Sequence, residues 1–333
     1  MKVMHLLYSN CFGGAEKVAM DLMTISNPFV KSIYVSKEGK ISEHLKSRGL
    51  EYHLVDKFNY FELKNIVKRN KIDVIHAHDF KASIMANLLG VKVISHIHQE
   101  PKWINKMNLN NFLYGINTIF FSHIVVTSNN LVKQLNYTNK VVLLNNFVDV
   151  PDEFYSTDRK MKRFDFIFVG RLEKEKNPMG FVDFVQQMNN YGNFSAAIVG
   201  DGTEKNTIES YIKKYHLDIK LFGFQKNPYV LMSKSNFLVN TSEREGFGLV
   251  IIEAMQMGVP VISGSNIGGV STYFNASNHI NIEFPEESFA KKIKNIINND
   301  NLYGSLSKNS YDLGVSFKDT EKIYRTLFEV YND

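Results

Sequence analysis

Two glutamates, Glu245 and Glu253, stand eight positions apart in the stretch TSEREGFGLVIIEAMQMGVPVIS, residues 241–263. Gly246 and Gly248 flank Phe247 between them, and the apolar run from Gly248 to Met257 reads as a helix. Gly258 stops it, and Pro260 begins a strand. Glycine at a helix N-terminus leaves backbone N–H donors open, and together with the helix dipole these favour phosphate oxygens. Glu245 then lies in the loop before the helix and Glu253 on its second turn, so the two can reach different parts of one ligand. Two carboxylates beside a phosphate repel it unless both point at neutral hydroxyls, which a sugar and a ribose supply. Without a ligand, the same pair also reads as an acidic loop and a surface helical glutamate.

Cations suited to such a ligand occur upstream. In FVGRLEKEKNPMGFV, Arg171 follows an apolar run and Lys176 comes five residues later. A planar guanidinium fork and a point-charge ammonium can clasp a diphosphate, although two solvated surface cations would look the same. Near the start, SNCFGGAEK places Gly13 and Gly14 between a strand and a helix, where backbone donors could approach an anion or simply make a tight turn. The pattern is not G-x-G-x-x-G, which disfavours a dinucleotide cofactor. His76 and His78 in HAHD hint at a metal, but no third ligand of matching spacing follows them and no D-x-D occurs, so the expectation is no metal and no cofactor. The two histidines are read as structural or acceptor-side residues.

These residues need a scaffold, and the chain repeats one pattern. Short Val/Ile-rich runs alternate with longer amphipathic stretches, as in βαβ units with parallel sheets. Strands are expected at 2–8, 30–36, 51–55, 72–77, 91–97, 123–128 and 140–146. After a polar stretch at 150–163 they resume at 164–170, 194–200, 219–224, 236–242, 259–263 and 279–284. The expected organisation is two Rossmann-like domains, 1–155 and 156–315, with a terminal segment 316–333. There Ile323, Leu327, Phe328 and Tyr331 share one helical stripe, read as a helix crossing back to the first domain. With 333 residues, 44% apolar and 22% charged, the composition is that of a globular protein of about two domains.

The charge is uneven. Residues 1–150 hold 18 Lys and Arg against 11 Asp and Glu, a balance of +7, and the remainder hold 21 against 23. A basic half attracts phosphorylated substrates or an anionic membrane surface. Nucleic acid is excluded as a partner because no zinc-finger spacing, basic heptads or Arg/aromatic strand motif is present. MKVMHLLYSN is too short for a leader, and FLYGINTIFFSHIVVTS is interrupted by Asn117, Ser122 and His123, short of a spanning helix. Ile104, Met107, Phe112, Ile116, Ile119 and Phe120 recur at helical spacing, which favours a helix packed on the core. Trp103 between Lys102 and Lys106 would equally suit a membrane interface. The lone cysteine, Cys11, fits a reducing cytoplasm, with peripheral attachment to the inner face of the plasma membrane.

EGFGLVIIEAMQMGVPVI resembles the E-x(7)-E segment of the retaining glycosyltransferases of family 4, and the likeness runs along nearly the whole chain. GGAEK, DVIHAHD (73–79), ISHIHQEP (94–101), VVTS, NNFVD (145–149), VGRLEKEKN (169–177) and VGDG (199–202) occur in the family's order. The resemblance implies the GT-B fold, an α/β architecture of two facing Rossmann-like domains. It also implies transfer from a nucleotide-sugar, such as a UDP- or GDP-sugar, to a glycan or lipid-linked glycan in surface polysaccharide assembly. Arg171 and Lys176, with the backbone of Phe247, Gly248 and Leu249, would hold the diphosphate. Glu253 would bind ribose, the segment around Phe224 would line the base, and Glu245 would face the transferred sugar. His98 would meet the sugar from the first domain, where Gly13 and Gly14 would close over the phosphates. Three features depart from the pattern: Thr272 replaces the usual acid after SNIGG, Phe147 the usual glycine, and NASNHINIEF lacks its glycines. A catalytically silent relative or a nucleotide-sugar epimerase of the same fold are the rival readings.

Overall fold

The computed structural model describes residues 1–333 apart from 27–28, 102–103, 105–107, 136–137, 157–161, 244, 265–267 and 283–285. The chain divides into two compact units, 1–147 with 319–333, and 148–318. In the first unit the elements run β1 (Lys2–Leu6), α1 (Gly14–Ser26), β2 (Lys31–Lys37), α2 (Ile41–Ser47), β3 (Tyr52–Val55), α3 (Tyr60–Asn70), β4 (Val74–Ala77), α4 (Phe80–Asn87), β5 (Lys92–Ile97), α5 (Leu109–Asn117), β6 (His123–Val126), α6 (Asn129–Gln134) and β7 (Val141–Leu143). The second unit runs β8 (Phe164–Val169), α7 (Pro178–Asn189), β9 (Ala196–Val199), α8 (Lys205–Tyr215), β10 (Ile219–Leu221), α9 (Tyr229–Met232), β11 (Ser235–Asn240), α10 (Leu249–Gln256), β12 (Val261–Ser263), β13 (His279–Asn281), α11 (Glu287–Asn298) and α12 (Asp300–Val315). The last helix, α13 (Thr320–Asn332), returns to the first unit and packs beside α1.

Each unit has one parallel sheet, ordered β3-β2-β1-β4-β5-β6-β7 and β10-β9-β8-β11-β12-β13. Helices cover a parallel sheet, so its strands are buried and apolar along their length. The four residues of β4 and of β9 and the six of β11 are all buried. Local chemistry sets several helix starts, since the side chains of Asn59, Asp79, Ser128 and Asp319 accept from the third following backbone N–H.

Two apolar stripes differ from expectation. On α13, Ile323, Leu327 and Tyr331 are buried, but Phe328 is 47% exposed and meets the rings of Phe29 and Tyr324. The core-packed helix expected from residue 104 to residue 120 is a larger correction. Ile104 is buried, yet Phe112 is 64% and Ile119 70% exposed, with Leu109, Ile116 and Phe120 also facing solvent. The core side of α5 is taken by Tyr114, whose hydroxyl bonds Ser95 at 2.7 Å, so the apolar residues at positions 109, 112 and 116 point outward. Lys102, Trp103, Lys106 and Met107 lie outside the described residues.

Candidate functional site

In an open parallel sheet, ligands bind beyond the carboxyl ends of the strands where the strand order reverses. In the second sheet that point lies between β8 and β11, which are paired neighbours. The loop after β8 carries Arg171 and Lys176, and the loop after β11 carries Glu245, Phe247 and Gly248. The two loops are strapped together: Thr241 Oγ1 donates to the Asn177 carbonyl at 2.7 Å, and the Glu243 N–H to the Glu175 carbonyl at 3.2 Å. Asn177 adopts a left-handed conformation, φ 48°, and its side chain caps α7 through the Gly180 N–H.

Glu245 is the organising residue of this rim. Its side chain is 8% exposed, and Oε1 accepts from Lys176 Nζ at 2.7 Å, Ser242 Oγ at 2.8 Å and Asn240 Nδ2 at 3.2 Å. A buried carboxylate needs such partners. Concentrating them on one oxygen fixes the carboxylate plane. Arg171 behaves differently. Its side chain is 63% exposed, and its guanidinium meets Glu175 only at 3.9 Å, an exposed pair worth little and easily exchanged for a ligand.

Helix α10 begins at Gly248, whose φ of 91° suits glycine and whose missing side chain caps nothing. The N–H groups of Ile251 and Ile252 bond the Gly248 carbonyl, while those of Leu249 and Val250 have no acceptor among the described residues. The Phe247 ring is buried edge-on against Phe317, so the residue can offer only backbone to a ligand. Glu253 sits within α10, and its Oε1 accepts from the Tyr229 hydroxyl at 3.3 Å. Phe224 follows β10 and is exposed.

Sequence reasoning missed two supports here. Gly269 and Val270 donate to the carbonyls of Gly246 and Phe247 at 2.9 and 3.0 Å. Gly268, at φ 65°, presses so closely that a Cβ would stand 2.8 Å from the Gly246 carbonyl oxygen and 3.0 Å from the Glu245 Cβ. The paired glycines at 268–269 were the available signal. Asn240 and Ser242, as partners of Glu245, gave none.

In the first sheet the order reverses between β1 and β4. The loop after β1 leads through Gly13 and Gly14 into α1, but the Glu16 carboxylate folds back there. Its Oε2 lies 2.9 Å from where a Gly13 Cβ would be, and burial pushes its pKa up. An anion at this helix start would have to displace it. Across the reversal, five histidines gather: His5 on β1, His76 on β4, His78 just after it, His96 on β5 and His98 just after that. The expectation that His76 and His78 lack further ligands is therefore corrected, because parallel pairing supplies neighbours distant in sequence. His5, His76 and His78 form one group of possible metal ligands, and His78, His96 and His98 another. All five are held neutral. Burial lowers His5 and His98 to about 3, and His76, His78 and His96 lie well below the ordinary value for the same reason, reinforced by their neighbours.

Residues 149–313 match the family Glycosyl transferases group 1, and residues 39–151 match Glycosyltransferase Family 4. The chain belongs to these glycosyltransferases. Among relatives, it is 27% identical to "Capsular polysaccharide biosynthesis glycosyltransferase CapH" of Staphylococcus aureus, over 97% of this chain and 98% of that one. It is 26% identical, over 93% and 92%, to the Campylobacter jejuni "GalNAc-alpha-(1->4)-GalNAc-alpha-(1->3)-diNAcBac-PP-undecaprenol alpha-1,4-N-acetyl-D-galactosaminyltransferase". Among solved structures, Anabaena Alr3699/HepE in complex with UDP superimposes with a TM-score of 0.83 at 19% identity, covering 99% of each chain. The glycosyltransferase thus has the GT-B class of fold, with one parallel sheet in each Rossmann-like unit. Within the second unit its expected donor residues Arg171, Lys176, Glu245, Phe247, Gly248 and Leu249 stand on the loops of a single switch point. His98, Gly13 and Gly14 stand at the corresponding rim of the first unit.

Proposed function

We propose that the chain transfers a sugar from a nucleotide-sugar, such as a UDP- or GDP-sugar, to a glycan or lipid-linked glycan acceptor with retention of anomeric configuration, in the assembly of a bacterial surface polysaccharide. The observation that carries this reading is the switch point between β8 and β11. Two cations, a buried and fixed carboxylate, and an uncapped helix N-terminus converge there. A diphosphate suits the first and last of these. Arg171 supplies a fork, Lys176 Nζ has protons beyond the one given to Glu245, and the Leu249 and Val250 N–H groups point along the α10 dipole. Such donors stabilise the charge that develops as the bond from sugar to phosphate breaks, a role otherwise filled by a metal ion. Glu253 is assigned the ribose hydroxyls, Glu245 the sugar, and the exposed Phe224 the base. His98 is assigned a ligand contact on the first unit, and Gly13 and Gly14 a looser one that requires Glu16 to move. The capsular and undecaprenol-linked relatives, and the UDP-bound neighbour, support the choice of donor and acceptor class.

Calorimetric titration of UDP and GDP tests the donor site. Binding is expected in the presence of excess EDTA, and Arg171→Ala should weaken it about 10- to 150-fold, the equivalent of a charge-assisted contact of ~1.5–3 kcal/mol. Binding that EDTA abolishes and Mn²⁺ restores would refute a metal-free site.

The same reading places the first unit on an anionic membrane at the cytoplasmic face. No described helix is long and apolar enough to cross a membrane. The outward apolar face of α5 and the +7 balance of residues 1–150 instead suit shallow insertion beside anionic headgroups. Flotation should show binding to phosphatidylglycerol vesicles that fades as salt rises, weakened at least several-fold by Phe112→Ser with Ile119→Ser. Equal binding to neutral vesicles would count against it.

A further inference from the structure

A second group of polar side chains stands at the switch point of the first sheet, and the roles assigned above leave it unused. Tyr8 comes two residues after β1, Lys37 ends β2, Asp79 follows β4 and Lys81 is the second residue of α4. They therefore share the carboxyl rim where the strand order reverses, the place at which open parallel sheets hold ligands. The Tyr8 backbone is fixed there by Asp79, whose Oδ2 accepts its N–H at 2.6 Å while Oδ1 accepts the Ala82 N–H at 2.9 Å. The half-buried Tyr8 ring meets Phe58 edge-on at 5.2 Å, and Phe58 packs on the core of the first unit.

Two cations share this one ring. Lys37 Nζ lies 4.3 Å and Lys81 Nζ 4.1 Å from its centroid, and Lys37 Nζ also donates to the hydroxyl oxygen at 3.1 Å. An aromatic ring attracts an ammonium, but two ammoniums gathered on one ring repel each other. Lys81 adds a second conflict, because it stands in the first turn of α4, where the helix dipole is already positive. Asp79 offsets this only in part, since both its oxygens accept backbone N–H bonds and burial pushes its pKa up. Neither lysine forms an ion pair among the described residues. The Tyr8 hydroxyl, having accepted from Lys37, keeps its own hydrogen to give. The bond from Lys37, and then the charges of Lys37 and Lys81, hold its pKa below the ordinary value and make it a readier donor. An oxyanion beside that hydroxyl would meet three donors and relieve the repulsion.

We propose that Tyr8, Lys37 and Lys81 form a subsite at the rim of the first sheet for an oxyanion of the acceptor, a phosphate or a carboxylate. Both a diphosphate-linked lipid and an acidic glycan carry such a group. Assignment of the anion to the acceptor rests on the transferase function proposed above, in which the donor diphosphate has cations of its own, Arg171 and Lys176, on the second unit. The anion site itself does not rest on that function.

Saturation-transfer NMR on the full chain, with UDP saturating the second unit, tests the subsite. Phenyl phosphate and phenyl glucuronide are the probes, and phenyl glucoside is the neutral control. At least one of the two anions should bind more tightly than the glucoside, and the tighter of them identifies the group as phosphate or carboxylate. Lys37→Gln combined with Lys81→Gln should weaken that binding at least about 10-fold, the loss expected for charge-assisted contacts. Tyr8→Phe, which keeps the ring for the lysines, should weaken it about 2- to 10-fold, and neither change should lower Tm. Arg171→Ala should leave it as it is. Anions bound no more tightly than the glucoside, or bound equally well by the double lysine variant, would overturn the subsite. In turnover the double lysine variant should raise the acceptor KM by at least about 10-fold with the donor KM unaltered. The reverse pattern would place the anion on the donor and overturn its assignment to the acceptor. Failure of the transferase reading shows separately, as a chain that holds the anion through Lys37 and Lys81 but binds neither UDP nor GDP.

Discussion

The first unit should unfold in mild acid, well before the second. His5, His76, His78, His96 and His98 all have folded pKa values depressed by burial, with His5 and His98 at about 3. The unfolded chain takes up protons on these rings as pH falls through ~6.5, and the folded chain does not, so stability is full above that value and is lost as pH drops toward the folded values. Each ring contributes a slope of ~1.4 kcal/mol per pH unit, and five approach ~7 kcal/mol per unit, against a total domain stability of ~5–15 kcal/mol. Glu16 and Asp79, both raised by burial, act in the opposite sense, over the interval between the ordinary carboxylate range and their raised values. The second unit has one such ring, His279, lowered to about 4 and bonded to Ser263. Hydrogen exchange read peptide by peptide at pH 7, 6 and 5 is the measurement. Protection in β1, β4 and β5 should collapse between pH 6 and 5 while β8, β9 and β11 keep theirs; simultaneous loss would show that the histidines do not control it. Because Tyr331 bonds His76 Nδ1 at 2.8 Å, α13 should lose protection with the first unit.

The sheets were legible because parallel strands buried on both faces are written as continuous apolar runs. All thirteen expected strands coincide with observed ones, differing at their ends, and residues 283–284 of the last lie outside the described residues. Gly248 and Gly258 were legible as helix boundaries for a similar local reason. The outward face of α5 was not. Its 3–4 spacing encodes a stripe without saying which side the stripe faces, and Tyr114, an unremarkable residue in sequence, takes the core side through its bond to Ser95. The histidine cluster was hidden because its members come from three strands, and local spacing displays only ligands close in sequence. The Lys176–Glu245 pair was hidden likewise, sixty-nine residues apart across adjacent loops. Each residue was found as a candidate, but their direct contact came from the pairing of β8 with β11.

That contact sharpens what the two glutamates should do on replacement. Glu253 is assigned to ribose hydroxyls, which change little during reaction, so Glu253→Gln should raise the donor KM and weaken nucleoside diphosphate binding with kcat nearly unaltered. Glu245 is assigned to the sugar that gains oxocarbenium character as its bond to phosphate breaks, and a fixed carboxylate acts most strongly at that stage. Glu245→Gln keeps an acceptor for Ser242 and Asn240 but removes the charge, and kcat should fall by about 10²-fold, on the order of 3 kcal/mol. The replacement also releases Lys176 Nζ, whose 2.7 Å bond to Glu245 is then lost. A freed lysine can hold the diphosphate of the bound donor more tightly, so the donor KM of Glu245→Gln should stay level or fall while kcat drops. Lys176→Met alone should raise that KM and leave Glu245 buried without its cation. The two changes touch one interaction, so their combined effect on kcat/KM should fall short of the sum by ~1 kcal/mol or more. Steady-state kinetics at saturating acceptor on the two single variants and the double variant decide the matter. Strict additivity would mean that the two side chains act independently, and a Glu245→Gln enzyme whose only defect is a raised KM would mean that the carboxylate serves to hold Lys176 in place and does not act on the sugar.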